Sequence, residues 1–256
     1  MDADLNLGDV FQTILGFRDS LEGLVSNISS DIERRSTDYV DQINFIALAA
    51  RMAPISKAQL LQDLWVLYEL KQKRAGYFVE FGACDGLTFS NTFLLENLFG
   101  WQGALAEPAR VWHDKLRANR HCFITDRCVY KEDGRKVAFN EVSAPELSTL
   151  DALSSLDYHA QARQNGTRYE VETISLKSFL VAANAPKTID YMSIDTEGSE
   201  ADILESFNFS EYDISLVSVE HNYTSQRNKI YEIMTTNGYR RKFEAFSAFD
   251  DWYIKI

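Results

Sequence analysis

Apolar residues near the start of the chain recur at the spacing of amphipathic helices. One series steps by four and three residues in turn and consists of Val10, Ile14, Phe17, Leu21, Leu24 and Ile28. This series covers little more than two heptads, so it favours a helix packed within its own domain over a contact between two copies of the chain. A second helix is predicted at residues 40–50. A third is predicted after Pro54, with an apolar stripe formed by Leu60, Leu61, Leu64, Leu67 and Tyr68.

From residue 77 onward, short apolar runs alternate with helical segments, which is typical of a mostly parallel sheet with helical crossovers. The runs predict strands at residues 77–81, 103–106, 122–125, 189–194 and 214–219. The less regular region at about residues 130–175 contains two more strand-like runs, at 136–142 and 169–174, and a polar connector at 154–166 that is typical of a substrate lid. Residues 238–246 and 252–256 predict a terminal hairpin.

Length and charge narrow the choice of fold and partners. The 256 residues suffice for one α/β domain at residues 73–256 and a helical extension at residues 1–72. The net charge of −12 disfavours DNA or RNA as a partner, because phosphate contacts require a basic face. Three cysteines without metal-ligand spacing indicate reduced thiols. Since no leader segment and no apolar run of about 20 residues is visible, we expect a cytoplasmic protein without a membrane span.

A glycine-bearing turn at residues 82–86 follows the first predicted strand and precedes a segment of helical spacing at residues 90–98. A strand, a glycine turn and a helix bring backbone amides close to a nucleotide cofactor in α/β proteins. The spacing Gly82-x-x-x-Gly86 lacks the glycine pair that lets a pyrophosphate touch the backbone, so a dehydrogenase is the weakest alternative. Glu80, two residues before the first glycine, suits a cofactor with a cationic amino group. These features favour S-adenosylmethionine over NAD.

Polar side chains follow each of the five predicted parallel strands. They are Glu80 at the end of the first strand, with Gly82 close behind it, Glu107 after the second, Asp126 after the third, Asp195 and Glu197 after the fourth, and Glu220, His221 and Asn222 after the fifth. Ligands of open α/β sheets bind at the carboxyl ends of the strands. The convergence of polar residues at all five ends therefore predicts an active site there.

Four segments resemble the FkbM family of S-adenosylmethionine-dependent methyltransferases. They are residues 79–86, 90–92, 100–108 and 189–200, with the sequences VEFGACDG, SNT, GWQGALAEP and IDYMSIDTEGSE. The resemblance covers about residues 75–256, and the run at 189–198 is its most specific part. It implies a class I methyltransferase fold, in which helices flank a seven-stranded, mostly parallel sheet with one antiparallel strand. It also implies methylation of a hydroxyl oxygen on a sugar or a small natural product.

The resemblance and the strand ends together predict how the cofactor is held. The expected cofactor-binding residues are Glu80, Gly82, Ala83, Gly86, Ser90, Asn91, Glu107, Pro108, Asp126 and Asp195. Glu80 would meet the methionine ammonium, and Ser90 with Asn91 would offer helix N–H groups to its carboxylate, although Ser90 could equally be a plain N-cap. Glu107 would accept two hydrogen bonds from the ribose hydroxyls. Asp126 would bond the adenine amine or be an ordinary surface acid.

Three residues are predicted to be catalytic: His221, Asp195 and Glu197. His221 is the natural general base because its unperturbed pKa lies near ~6.5, with a structural histidine as the alternative. Asp195, Glu220 and Asn222 could instead hold Mg²⁺ or another hard divalent ion, an arrangement similar to catechol-type methyltransferases. A coordinating His221 would open the site to Zn²⁺ or Fe²⁺.

Three functions remain open at this point. The first is an O-methyltransferase of a sugar hydroxyl in a glycan, glycolipid or glycosylated metabolite, with a sugar face stacked on an aromatic residue; the candidates for that stacking are Tyr158, Tyr223, Trp252 and Tyr253. The second is a metal-dependent methyltransferase of a phenolic or polyketide hydroxyl. The third is a catalytically silent Rossmann-like module that serves as a scaffold through its N-terminal helices. Independently of these functions, the same helices could form a homo-oligomer.

Overall fold

The computed structural model describes residues 37–256. The helical series at residues 10–28, and with it the predicted oligomer contact, lies outside the described residues. The chain divides into two compact units with the boundary between Ala47 and Leu48, and the predicted domain boundary at residue 72 stays a prediction. Between residues 37 and 256, no helix is both long and apolar enough to cross a membrane.

Two helices precede the sheet. Helix α1 (Thr37–Met52) confirms the helix predicted at residues 40–50, and α2 (Gln62–Glu69) follows the short 3₁₀ turn Ala53–Ile55. Leu61 has a φ of 62°, in the left-handed region, and caps α2. The apolar stripe predicted from Leu60 onward therefore begins in a turn and becomes helical only at Gln62.

Eleven strands and five more helices make up the rest of the described chain. The strands are β1 (Tyr77–Phe81), β2 (Gln102–Ala106), β3 (Phe123–Thr125), β4 (Cys128–Tyr130), β5 (Lys136–Glu141), β6 (Thr149–Leu150), β7 (Thr167–Ser175), β8 (Thr188–Ile194), β9 (Asp213–Glu220), β10 (Tyr239–Lys242) and β11 (Asp250–Lys255). The helices are α3 (Phe93–Phe99), α4 (His113–Asn119), α5 (Leu176–Ala182), α6 (Glu200–Ser206) and α7 (Gln226–Thr236).

The main sheet has seven strands in the order β10-β11-β9-β8-β1-β2-β3. The five consecutive strands β9, β8, β1, β2 and β3 pair in parallel. In this sheet only β11 runs antiparallel to its neighbours, β9 and β10. This arrangement confirms the predicted α/β fold, its five parallel strands and its terminal hairpin. The strand order reverses between β1 and β8, which places a topological switch point at their carboxyl ends.

A second sheet of four strands, in the order β4-β7-β5-β6, is built from the chain between β3 and α5. Strands β5 and β7 pair antiparallel and confirm the two strand-like runs predicted at residues 136–142 and 169–174. The sequence does not predict the short strands β4 and β6, because each has too few residues to show an alternation of apolar and polar positions. The connector predicted as a lid leaves this sheet after the 3₁₀ turn Asp151–Leu153 and returns at β7.

Apolar residues cover both faces of the main sheet. On one face, alternating residues of the parallel strands pack against α5, α6 and α7; Phe81, for example, meets Phe179 with ring centroids 5.3 Å apart. On the other face, Trp65 of α2 stacks on Trp252 at 5.1 Å and meets the edge of Tyr191. A sheet buried on both faces exposes its backbone to ligands only at its strand ends.

Gly82 is the point of closest approach between the ends of β1 and β8. Its φ is +75°, and a Cβ at this position would lie 1.8 Å from the carbonyl oxygen of Asp195. The N–H of Asp195 donates to the carbonyl of Phe81, and the N–H of Gly82 donates to the carbonyl of Ala106. Gly82 therefore joins three strand ends and leaves no space for a side chain.

We expect Gly82→Ala to lower the free energy of unfolding by at least about 3 kcal/mol, since it adds a clash with rigid backbone to an unfavourable φ. Gly134→Ala is the matched control, because Gly134 has a φ of +68° with nothing within 4 Å of the added Cβ. The free energy of unfolding of that control should fall by only about 1 kcal/mol. Urea denaturation of both variants measures the difference, and equal losses would contradict the close approach.

Candidate active site

A cavity of about 300 Å³ opens at the carboxyl ends of β1, β2, β8 and β9. The predicted site residues that line it are Glu80, Gly82, Ala83, Ser90, Asn91, Glu107, Pro108, Asp195, Glu197, Glu220 and Asn222. Residues that the sequence did not single out also line it, among them Gln59 before α2 and the segment 145–148. The structure thus brings together most of the predicted site in one place.

Glu80 lines the cavity, but donors of the protein surround its carboxylate. The N–H of Asn91 donates to Oε1 at 2.7 Å, the Thr92 hydroxyl donates to Oε2 at 2.6 Å, and the Ser90 hydroxyl donates at 3.1 Å. Arg120, whose side chain is fully buried, lies 3.5 Å away. The N–H of Asn91, expected to receive a cofactor carboxylate, therefore binds the carboxylate of Glu80, and the N–H of Ser90 donates to the carbonyl of Leu87. These contacts favour Glu80 as the anchor of the loop after β1.

Asn91 offers an acceptor that the protein leaves open. Its Nδ2 donates to the Ser193 hydroxyl at 2.9 Å, which fixes the orientation of the amide. Its Oδ1 is buried and has no hydrogen-bond partner among the described residues. A buried, unpaired amide oxygen is costly unless a ligand supplies a donor. The Ser90 hydroxyl, in turn, accepts from the N–H of Phe93 at 3.1 Å, so Ser90 also has the capping role that the sequence left open.

Glu107 lies at the exit of β2 and is buried. Its two carboxylate oxygens accept from the N–H of Cys84 at 2.8 Å and from the N–H of Ala109 at 2.7 Å. Burial raises the pKa of Glu107 to about 7, against the effect of the two backbone hydrogen bonds. Each oxygen keeps a second lone pair. A diol could therefore add two hydrogen bonds to a carboxylate that the backbone already orients.

Asp195, Glu197 and Glu220 form a carboxylate cluster in the cavity, with ligand oxygens within 4.8 Å of one another. Burial raises the pKa of Asp195 to about 7 and, with the negative charge of Asp195, that of Glu197 to about 9. Burial also raises the pKa of Glu220, and the charges of Asp195 and Glu197 raise it further. Such a cluster stabilises a bound cation or holds protons of its own.

Glu197 is tied to the lid connector by a buried ion pair. It adopts a φ of 59°, which is strained for a residue with a side chain. Nη2 of Arg163 donates to its Oε2 at 2.5 Å, and Nδ2 of Asn222 donates to the same oxygen at 3.2 Å. Arg163 also binds both carboxylate oxygens of Asp157 at 2.9 Å. Arg163 thereby fastens the connector 154–166 to the residue that follows β8.

Two residues of this connector, Tyr158 and His159, line the cavity. The Tyr158 hydroxyl donates to Oδ1 of Asn222 at 3.1 Å, and its ring lies 4.0 Å from the ring of His159. Sequence reasoning gave His159 no role because no strand precedes it. The polar composition of the connector predicts a lid, but it does not indicate which residue of the connector lines the cavity.

His221 does not line the cavity, which corrects its prediction as a catalytic base and as a metal ligand. Consecutive strand residues point to opposite faces of a sheet, so the buried Glu220 faces the cavity and His221 faces away. Nδ1 of His221 accepts from the N–H of Tyr223 at 3.0 Å, and its Nε2 lies 3.7 Å from Asp251. The structure supports the alternative of a structural histidine.

Gly86 and Asp126 also lie outside the cavity lining, contrary to their prediction as cofactor-binding residues. A Cβ on Gly86 would lie 2.6 Å from the side chains of Arg120 and Leu116, so this glycine serves packing beneath the loop. Asp126 is exposed and pairs with Arg117 on the surface. The chain turns outward after β3, which carries Asp126 away from the other strand ends.

The four aromatic residues proposed for stacking on a sugar separate into two groups. Trp252 and Tyr253 are fully buried in the sheet, where Trp252 stacks on Trp65, so they cannot meet an acceptor. Tyr158 and Tyr223 are exposed, by 61% and 65%, but only Tyr158 lines the cavity. One aromatic residue of the four is therefore placed for contact with an acceptor.

Several solved structures have a distant likeness to this chain. A precorrin-6y C5,15-methyltransferase from Geobacter metallireducens is 9% identical over 75% of this chain and 85% of its own, with a TM-score of 0.41. A methyltransferase from Pyrococcus furiosus is 12% identical over 83% and 95% of the two chains, with a TM-score of 0.40. A mutant of MtNAS in complex with S-adenosylmethionine is 11% identical over 76% and 62%, with a TM-score of 0.35. These scores are too low to carry an argument.

Sequence comparison is decisive for the family. None of the curated proteins matches the chain. The model of the methyltransferase FkbM domain, however, matches residues 80–241. The match spans the strand ends that build the cavity, from Glu80 on β1 to the hairpin strand β10. The chain therefore belongs to the FkbM methyltransferase family.

Proposed function

We propose that the protein is an S-adenosylmethionine-dependent O-methyltransferase whose acceptor is a sugar hydroxyl of a glycan, a glycolipid or a glycosylated metabolite. The observation that carries the proposal is the carboxyl-rich lining of the cavity. Six carboxyl residues line it, and no Lys or Arg among the described residues does; the six are Glu80, Glu107, Glu146, Asp195, Glu197 and Glu220. Such a lining fits a cofactor with a positively charged sulfonium and a neutral, hydroxyl-bearing acceptor, and it disfavours polyanionic ligands such as phosphates.

The residues present fit S-adenosylmethionine. Glu107 would hold the ribose hydroxyls on its two oriented oxygens, and Asn91 Oδ1, which has no partner in the described chain, would accept from the methionine ammonium. The backbone of Gly82 and Ala83 lines the cavity without a bulky side chain at the first of these positions. When bound, the cofactor supplies a methyl group on a positively charged sulfur.

The protein contributes orientation, desolvation and charge to methyl transfer. The carboxyl groups of Asp195 and Glu220, whose pKa values are raised by burial, ionise more readily beside a cationic sulfonium and accept hydrogen bonds from acceptor hydroxyls. The connector 154–166 carries Tyr158 and His159 over the cavity and limits access of water. The exposed ring of Tyr158 gives a sugar face an apolar surface beside these acceptors. In this proposal Asp195 and Glu197 serve the reaction through charge and positioning.

A metal-dependent methyltransferase of a phenolic or polyketide hydroxyl is the second candidate. The close approach of three carboxylates favours it, because oxygen ligands suit Mg²⁺. Asp195, Glu197 and Glu220 would hold the ion, with Asn222 nearby. Against this candidate, Oε2 of Glu197 already binds Arg163 and Asn222, and the guanidinium supplies a positive charge to the same cluster.

The first experiment is calorimetric titration of the protein with S-adenosylhomocysteine and, as a control, with NADH. We expect micromolar binding of S-adenosylhomocysteine alone, followed by transfer of radiolabelled methyl groups to a panel of methyl glycosides. Transfer only to catechols or other phenols would favour the second candidate. If neither nucleotide binds, the protein is not a methyltransferase, and the scaffold alternative gains support.

Glu107→Ala should weaken the affinity for S-adenosylhomocysteine by ~10- to 100-fold, because two hydrogen bonds to the ribose are lost. Glu141→Gln is the control, since Glu141 bonds Tyr169 and Val111 outside the cavity and should leave the affinity unchanged. Calorimetry measures both affinities, and thermal unfolding confirms that each variant is folded. Unchanged affinity in a folded Glu107→Ala protein would remove Glu107 from the ribose site.

Removal of divalent ions should leave methyl transfer to the best methyl glycoside unchanged, because Arg163 already supplies positive charge at the carboxylate cluster. The measurement compares initial rates in excess EDTA, with and without added Mg²⁺. A loss of activity in EDTA that Mg²⁺ restores would show instead that the carboxylates hold an ion and would favour the second candidate.

A further inference from the structure

The connector 154–166 brings to the cavity a histidine that is not part of any sequence motif described above. His159 is half-buried and lines the cavity together with Tyr158, Glu197 and Glu220. Between residues 37 and 256, where all four histidines lie, His159 is the single histidine that lines the cavity. Its ring stands beside the exposed ring of Tyr158, at a centroid distance of 4.0 Å.

The imidazole of His159 is free to act on a ligand. Neither of its ring nitrogens hydrogen-bonds to any residue between 37 and 256, and its one ring contact is with Tyr158. Two other histidines each have one ring nitrogen in a hydrogen bond, and neither lines the cavity: Nε2 of His113 bonds the carbonyl of Glu107 at 3.0 Å, and Nδ1 of His221 accepts from the N–H of Tyr223. The open nitrogens of His159 can therefore accept a proton without breaking a bond within the described structure.

The backbone of His159 is fixed although it lies in a loop. Its N–H donates to Oδ1 of Asp157 at 2.8 Å. Asp157 is held by Arg163, which also donates to the carbonyl of Leu147 at 2.7 Å and to Glu197. The connector is thus anchored at both the rim segment 145–148 and the exit of β8. This anchoring gives His159 the constant position that a proton acceptor requires.

We propose that the imidazole of His159 accepts the proton of the acceptor hydroxyl during methyl transfer, an inference that rests on the proposed function. The acceptor oxygen forms a bond to the methyl carbon while the bond between that carbon and sulfur breaks, and its electron pair stays on sulfur. The hydroxyl proton moves to an imidazole nitrogen. The products are a methyl ether, neutral S-adenosylhomocysteine and an imidazolium, so charge and atoms balance.

The charges around His159 suit this role. Burial and the positive charge of Arg163 lower its pKa, while Asp157 opposes them, so the ring is neutral and able to accept a proton at pH 7. The negative charge of Asp157 stabilises the imidazolium once it forms, while Glu146, Glu197 and Glu220 line the same cavity from three other segments. Activity should accordingly fall as the pH drops through the pKa of His159, below its ordinary value near ~6.5.

The test compares His159→Gln with His121→Gln, an exposed histidine that does not line the cavity. With the best methyl glycoside of the panel, we expect kcat to fall ~100-fold in His159→Gln and to stay unchanged in His121→Gln. The affinity for S-adenosylhomocysteine should stay within about twofold in both, because His159 acts on the proton alone. Imidazole in the buffer should restore part of the turnover of His159→Ala.

A second readout does not need turnover. In an NMR titration of the histidine side chains, the signal missing from His159→Gln should titrate below ~6.5. Titration above that value would overturn the proposal, as would unchanged kcat in His159→Gln. A parallel loss of S-adenosylhomocysteine binding in this variant would show a structural role and would also overturn it. Failure of the proposed function is distinguishable, because the wild-type protein itself would then not bind S-adenosylhomocysteine or would methylate no hydroxyl.

Discussion

The contact on which the site depends is the approach of the β1 exit to the β8 exit at Gly82. A carbonyl of Asp195 occupies the space where any side chain at position 82 would stand. This contact sets the distance between the loop that carries Asn91 and the turn that carries Glu197. Since Oε2 of Glu107 accepts a hydrogen bond from the N–H of Cys84 in the same loop, the end of β2 is held together with the ends of β1 and β8. The cavity exists because these ends are held close without side chains between them.

Without a bound cation, the burial and mutual repulsion of the carboxyl groups destabilise this geometry. Burial and mutual repulsion raise the pKa values of Glu107, Asp195, Glu197 and Glu220. One buried guanidinium, that of Arg163, offsets part of the repulsion, and its removal would leave charges unpaired in a medium of low dielectric constant. A cationic ligand would offset the rest of the repulsion between the carboxylates. The same charges therefore disfavour the free protein and favour the proposed complex.

The sequence allowed the sheet and most of the site to be predicted, because parallel strands are apolar and their polar exits stand out. Glu107, Asp195 and Glu220 were identified in this way. A strand exit alone does not indicate which of two consecutive residues faces the cavity, so the sequence predicts His221 as the base, whereas in the structure Glu220 lines the cavity. Nor could it place His159, whose position depends on the ion pair between Arg163 and Glu197, 34 residues apart. Long-range ion pairs leave no local pattern in a sequence.

The second sheet has a consequence for the evolution of specificity. Strands β4 to β7 and the connector form one continuous stretch of the chain between β3 and α5. They meet the main fold through Val129 and Ile174 in its hydrophobic core and through hydrogen bonds donated by Tyr130, Thr149, Tyr158 and Arg163. The loops of this stretch can change in length and composition while these contacts are kept. Divergence of acceptors within such a lineage would then proceed in the connector, with the guanidinium of Arg163 and the core residues Val129 and Ile174 as the parts that each change must preserve.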